Sequence, residues 1–134
     1  MKCLLDTNIC IYIINRKLPS ILRRLQSFQP GQLGISTITI AELEYGIHRS
    51  NQPDRNRIAL TSFLMPFEIV DFDRAAASEY GSLRAWQMAH GKTVGAMDLL
   101  IAAQARSRAL VLVTNNEREF ARIPGLEIEN WAVF

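Results

Sequence analysis

Cysteine, histidine and glycine are scarce in this chain, and each shortage removes a class of function. Two cysteines in 134 residues are too few for a disulfide framework and lack the paired spacing of a zinc site. Cys3 and Cys10 both stand in apolar stretches, which reads as buried thiols in a reducing compartment. The two histidines, His48 and His90, fall at the ends of expected helices and read as surface residues rather than general bases. The seven glycines form no Walker loop and no dinucleotide fingerprint, and no G-x-S-x-G elbow occurs. Long apolar runs are missing too. Only three apolar residues follow Met1-Lys2 before Asp6, against the ~7–15 of a secretory core, and no window reaches the ~20 of a membrane span. A cytoplasmic location without membrane association is expected. An excess of one charge is also absent. Fifteen Lys and Arg against thirteen Asp and Glu leave a formal +2, which permits a nucleic-acid partner without requiring one.

What remains is an ordinary globular composition, 49% apolar and 21% charged, with no internal repeat, linker or low-complexity tract. The length suits one domain over 1–134. Short apolar runs at 3–5, 33–36 and 110–113 read as buried strands, with alternating segments at 67–72 and 126–130 as further strands. Helices are expected over 9–15, 20–28, 37–48, 57–64, 73–90 and 94–108, with a short helical turn after Asn115-Asn116. Pro19 suits a helix start and Gly91 a helix end. Strands alternating with helices predict an α/β/α sandwich around a central, mostly parallel sheet.

The informative feature is where the acids fall. Asp6 closes the first strand. Glu42 lies early in the helix after the second. Asp98 lies near the start of the helix from 94, and Glu119 follows the strand 110–113 by one short loop. Ligands of open parallel sheets gather beyond the carboxyl ends of the strands, near a switch in strand order, so these four can share one cleft. Each also has a structural reading. Asp6 suits a helix cap, and Thr39-Ile40-Ala41-Glu42 and Asn116-Glu117-Arg118-Glu119 both fit the capping box. Asp98 complements a helix dipole. Set among Met97, Leu99, Leu100 and Ile101, however, its charge is costly unless paired or bound to metal. Clustered carboxylates repel one another unless a cation intervenes, and all-oxygen donors suit magnesium or manganese rather than zinc. Such an ion activates water and steadies charge on a phosphodiester.

The motif Met1-Lys2-Cys3-Leu4-Leu5-Asp6-Thr7-Asn8 resembles the opening of PIN domains. The order continues through Ser36-Thr37-Ile38-Thr39-Ile40-Ala41-Glu42, Val94-Gly95-Ala96-Met97-Asp98-Leu99-Leu100 and Val113-Thr114-Asn115-Asn116-Glu117-Arg118-Glu119-Phe120. This pattern is similar to the VapC toxins of VapBC toxin–antitoxin modules and covers essentially the whole chain. The resemblance implies a PIN-like fold and an endoribonuclease dependent on Mg2+ or Mn2+. Asp6, Glu42 and Asp98 match the family's metal-binding acids. For the fourth position the choice lies between Glu119 and Asn116, and Glu119 is preferred, with Asn116, Thr114 and Asn8 as polar helpers.

The resemblance further implies a homodimer, a higher assembly with a cognate VapB-type antitoxin, and an antitoxin seat on the first helices around 9–25. It implies structured RNA as substrate. The segment from Thr114 to Phe120 favours initiator tRNA cut in its anticodon stem-loop, with ribosomal RNA as the alternative. A structure-selective DNA nuclease, a receiver-like domain and a non-catalytic interaction module of the same fold are the competing readings. The intact acids argue against the last. Arg16, Lys17, Arg49, Arg55, Lys92 and Arg118 are candidates for phosphate contact. Trp86 and Trp131 suit packing better than base stacking.

Overall fold

The runs at 3–5 and 111–113 are short and apolar on both faces, so they are stable only in a sheet covered on two sides. The computed structural model describes residues 1–91 and 94–134. Five strands occur among the described residues: β1 Cys3–Leu5, β2 Leu33–Ser36, β3 Glu68–Val70, β4 Val111–Val113 and β5 Ile128–Glu129. They are ordered β3-β2-β1-β4-β5, and every adjacent pair is parallel. Leu4 sits level with Gly34 on one side and Leu112 on the other.

Alternation along the strands divides the core in two. Leu4 and Leu112 bury against Leu83 of α5 (Arg74–His90) and Leu99 and Ile101 of α6 (Ala96–Ser107). Cys3, Leu5, Ile35 and Val113 pack on the opposite face. They meet Ile9 and Ile13 of α1 (Thr7–Asn15), Ile21 of α2 (Pro19–Gln26), and Trp131. Both layers together make the α/β/α sandwich, and each fully buried aliphatic side chain contributes roughly 1.5–3 kcal/mol. Both thiols are buried, as expected.

Local signals set the helix ends. Asp6 caps α1, Ser36 caps α3 (Thr37–His48) and Asp73 caps α5, each accepting a hydrogen bond from a backbone N–H of the first turn. Gly91, at φ +62°, closes α5 in the left-handed conformation. Several boundaries differ from expectation by a few residues, two helix starts among them. Helix α4 (Pro53–Leu64) starts at Pro53 instead of 57, because proline is well suited to the first helical position. Helix α6 starts at Ala96 instead of 94, with Gly95 as its cap.

A buried polar link crosses the core. The Ser36 hydroxyl donates to Gln104 Oε1, and Gln104 Nε2 donates to the Val70 carbonyl at 3.1 Å. It fastens the start of α3 and the end of β3 to the middle of α6. Among the described residues, no helix is long and apolar enough to cross a membrane.

Candidate active site

The strand order turns at β1, which has β2 on one side and β4 on the other. This is the switch point at which open parallel sheets collect ligands beyond the strand ends. All four predicted acids lie around it, on four different elements.

Asp6 immediately follows β1 and is buried. Its Oδ1 accepts from the Ile9 N–H at 2.9 Å, so the capping role is real. Burial pushes its pKa up, hydrogen bonds from the Thr114 hydroxyl and the Ile9 amide hold it down, and Glu42 adds a smaller upward push. The net shift is upward.

Glu42 does not close a capping box. Helix α3 begins at Thr37 with Ser36 as its cap, which puts Thr39 inside the helix and Glu42 in its second turn. The Glu42 carboxylate accepts instead from the Thr7 hydroxyl at 2.7 Å. That bond joins α3 to the first residue of α1.

Asp98 is half-buried in the first turn of α6, where the helix dipole favours negative charge. The dipole does not prevail. Loss of solvent, followed by repulsion from Glu119, Asp6 and Glu42, drives its pKa to about 6. No side-chain hydrogen bond offsets this among the described residues. The three other acids are therefore near enough to act on Asp98 together.

Glu119 lies in α7 (Glu117–Phe120), which follows β4. It accepts from the Gly95 N–H at 2.8 Å and from the Asn116 side-chain amide. Asn116 stands at the start of α7 but makes no side-chain capping bond, so the capping-box reading fails here as well. Asn116 is held in turn by its own N–H on Thr114 Oγ1 at 2.9 Å. Thr114 thus serves both Asp6 and the Asn116–Glu119 pair. Asn8 is exposed and lines the neighbouring cleft.

The grouping is electrostatic rather than ligating. Among the described residues, no three His, Cys, Asp or Glu side chains stand in an arrangement that could hold a metal ion. Asp6, Glu42 and Glu119 are each engaged by protein donors.

A cleft of about 720 Å³ opens beside Glu42, lined by Thr7, Ile11, Ile14, Tyr45 and Leu60 among others. The expected antitoxin seat around 9–25 is only partly matched by this surface. Ile9, Ile13 and Ile21 are spent in the core, while Ile11 and Ile14 reach the cleft with α3 and α4. The reason is the 3.6-residue period, which sends neighbouring isoleucines to opposite sides of α1.

Of the basic candidates, Arg49 lines the cleft and stacks on the exposed Tyr45 ring at 5.2 Å. Arg16, Lys17, Arg55 and Arg118 are exposed, and Lys92 lies outside the described residues. His48 and His90 are exposed, with His90 stacked on Trp86. Trp131 is buried against Phe28, so its role is packing.

Sequence reasoning missed Thr7 and Thr39, whose hydroxyls meet at 3.1 Å beside Glu42. Thr7 follows Asp6 directly, the one signal that could have drawn attention to it.

Residues 3–126 match the family model described as PIN domain. A tRNA(fMet)-specific endonuclease VapC of Shigella flexneri is 42% identical over 132 residues, covering 98% of this chain and 99% of that protein. The chain is also similar to two solved structures, each covering 98% of this chain and 99% of the other. One is the DNA-bound VapBC of Salmonella typhimurium, at TM-score 0.94 and 43% identity. The other is VapBC2 of Rickettsia felis bound to a fragment of its promoter, at TM-score 0.91 and 40% identity.

Proposed function

On the premise that the chain belongs to the PIN-domain family, and within it to the VapC toxins of VapBC modules, we propose that it is a metal-dependent endoribonuclease. It cuts structured RNA, with initiator tRNA favoured and the anticodon stem-loop as the point of attack. A VapB-type antitoxin neutralises it in the cytoplasm. The toxin acts as a homodimer of single-domain chains that joins a larger assembly with the antitoxin.

The observation that carries this reading is the charge crowding at Asp98. Loss of solvent, reinforced by repulsion from three acids on other elements, raises its pKa to about 6, so the protein spends stability to keep negative charge together beyond the sheet. Structural capping alone gives no reason to do that. The donor chemistry fits a hard divalent cation, with four carboxylates and no thiolate or imidazole among them. Asp6, Glu42, Asp98 and Glu119 would hold it, although no three of them are drawn together for ligation in the present arrangement. When bound, Mg2+ or Mn2+ relieves that repulsion and supplies Lewis-acid stabilisation to the phosphodiester under attack.

The chain's own groups prepare the site. The Thr7 and Thr114 hydroxyls and the Gly95 amide fix the carboxylates of Glu42, Asp6 and Glu119. Arg49 and Arg118 supply positive charge that draws in the RNA backbone. The preference for initiator tRNA is supported by the name of the Shigella flexneri relative.

Purified, antitoxin-free protein incubated with total cellular RNA tests the proposal, with new 5′ ends mapped by sequencing. One dominant cut in initiator tRNA that requires Mg2+ or Mn2+ is expected. A dominant cut in ribosomal RNA would replace the substrate, and no cut by folded protein would overturn the enzyme.

A further inference from the structure

Glu42 is the one proposed ligand carried into the site by the interior of a helix, and two hydroxyls meet its side chain there. Thr7 Oγ1 lies 2.7 Å from Glu42 Oε1 and 3.1 Å from Thr39 Oγ1. A carboxylate accepts and does not donate, so the single Thr7 proton is committed to Glu42. The proton between the two threonines must then come from Thr39. The direction of the whole chain is thereby fixed, Thr39 to Thr7 to Glu42.

The placement of these groups argues against a chance surface contact. Thr39 is completely buried. Thr39 and Glu42, three apart on α3, share a face of that helix. Thr7 opens α1 directly after Asp6. The chain of hydroxyls therefore spans the gap between the two elements that carry Asp6 and Glu42. It engages Oε1 of Glu42, while Oε2 accepts no hydrogen bond among the described residues.

Building on the cation-binding reading above, we propose that Thr7 and Thr39 are positioning residues that hold the Glu42 carboxylate for divalent cation binding, with Thr7 as the direct contact. Donors that orient a ligating carboxylate commonly change cation affinity as strongly as some ligands do. Thr39 acts one step back, by turning the Thr7 hydroxyl toward Glu42. Serine keeps the hydroxyl and valine keeps the shape, so the two replacements separate the hydrogen bond from the packing.

The test is titration of full-length protein with Mn2+ followed by electron paramagnetic resonance, alongside thermal unfolding. Native protein, Thr7→Val, Thr7→Ser, Thr39→Val, Glu42→Gln and the Thr7→Val/Glu42→Gln pair are compared. Thr7→Val is expected to weaken Mn2+ binding about 10–100-fold, Thr7→Ser to restore it, and Thr39→Val to fall between. The paired variant should bind no worse than Glu42→Gln alone, because Thr7 then has no carboxylate to hold. Steady-state cleavage should show kcat reduced with KM for RNA unchanged.

Native-like Mn2+ affinity in Thr7→Val overturns the proposal. So do losses that add in the paired variant, or an affinity that follows unfolding temperature alone. Native protein that binds no Mn2+ at all overturns the cation-binding reading itself, an outcome distinct from those three.

Discussion

The Glu119 carboxylate accepts a hydrogen bond from the backbone N–H of Gly95, 2.8 Å away, although 24 residues separate them in the chain. Gly95 is the cap of α6, and Asp98 lies in the first turn of that helix. One oxygen of Glu119 therefore holds the loop that sets Asp98 in place, while the other meets the Asn116 amide. This arrangement gives the two residues at the fourth position unequal roles.

Glu119→Gln is expected to weaken Mn2+ binding more than Asn116→Ala does, because the first removes a charge and the second only a supporting amide. Calorimetric titration of both variants ranks them. The reverse order would move the fourth ligand to Asn116.

Asp98→Asn is expected to lower cleavage more than about 100-fold, beyond what loss of a mere supporting donor costs. It should also raise the unfolding temperature of the metal-free protein at pH 7. The folded pKa of about 6 lies above the ordinary 3.8, so the folded state holds more protons than the unfolded one between those values. Stability from this group is present at low pH and is lost as pH rises through that window. Asp6, whose pKa burial also raises, adds in the same direction. Thermal unfolding in chelator from pH 4 to 7 reads the effect, and a flat difference between native protein and Asp98→Asn across that range would refute it.

Asp6→Asn is expected to abolish cleavage while leaving α1 formed, because asparagine caps a helix about as well as aspartate. Asp6→Ala should lose the activity and, in addition, about 0.5–2 kcal/mol of cap stabilisation. Urea unfolding of the two variants side by side separates the chemistry from the fold. Full activity in Asp6→Asn would remove Asp6 from the site.

Excess EDTA is expected to stop RNA cleavage, and added Mg2+ or Mn2+ to restore it. Gel assays over a range of cation concentration measure the recovery. Cleavage indifferent to the chelator would reject the cation-dependent mechanism.

Gly34→Ala is expected to destabilise the protein by about 1–3 kcal/mol, the usual cost of overpacking. A Cβ there would come within 2.9 Å of Val70 Cγ2 and 2.6 Å of Met1 Sδ. The Met1 side chain can swing away, whereas Val70 is branched and buried in the sheet. Urea unfolding supplies the measurement.

Most of the sheet was legible in the sequence because its central strands lie in short apolar runs that end at polar residues, and its outer strands in alternating segments. The acids were legible for a related reason, since Asp6 falls where such a run stops, Glu42 and Glu119 each follow soon after another, and Asp98 interrupts an apolar stretch. Pro53 escaped notice because its helix is exposed over most of its first two turns and offers no apolar period to follow. Gln104 and Thr39 escaped for a different reason. A single polar residue in a helix gives the same sequence signal whether it meets water or a buried partner. Only the packing of distant elements put Gln104 against Ser36, and Thr39 against Thr7. The capping-box motifs misled because the pattern is local, and the partners of Glu42 and Glu119 are not.

The spread of the four acids over four elements also has a consequence in time. Asp6 leaves the ribosome 113 residues ahead of Glu119, and the set of four is incomplete until both have emerged. At about 5–20 residues per second, synthesis separates the two by on the order of ten seconds. On the proposed function, the growing chain is harmless throughout that interval, and toxicity begins only after Glu119 has emerged. An antitoxin translated alongside gains that head start before there is anything to restrain.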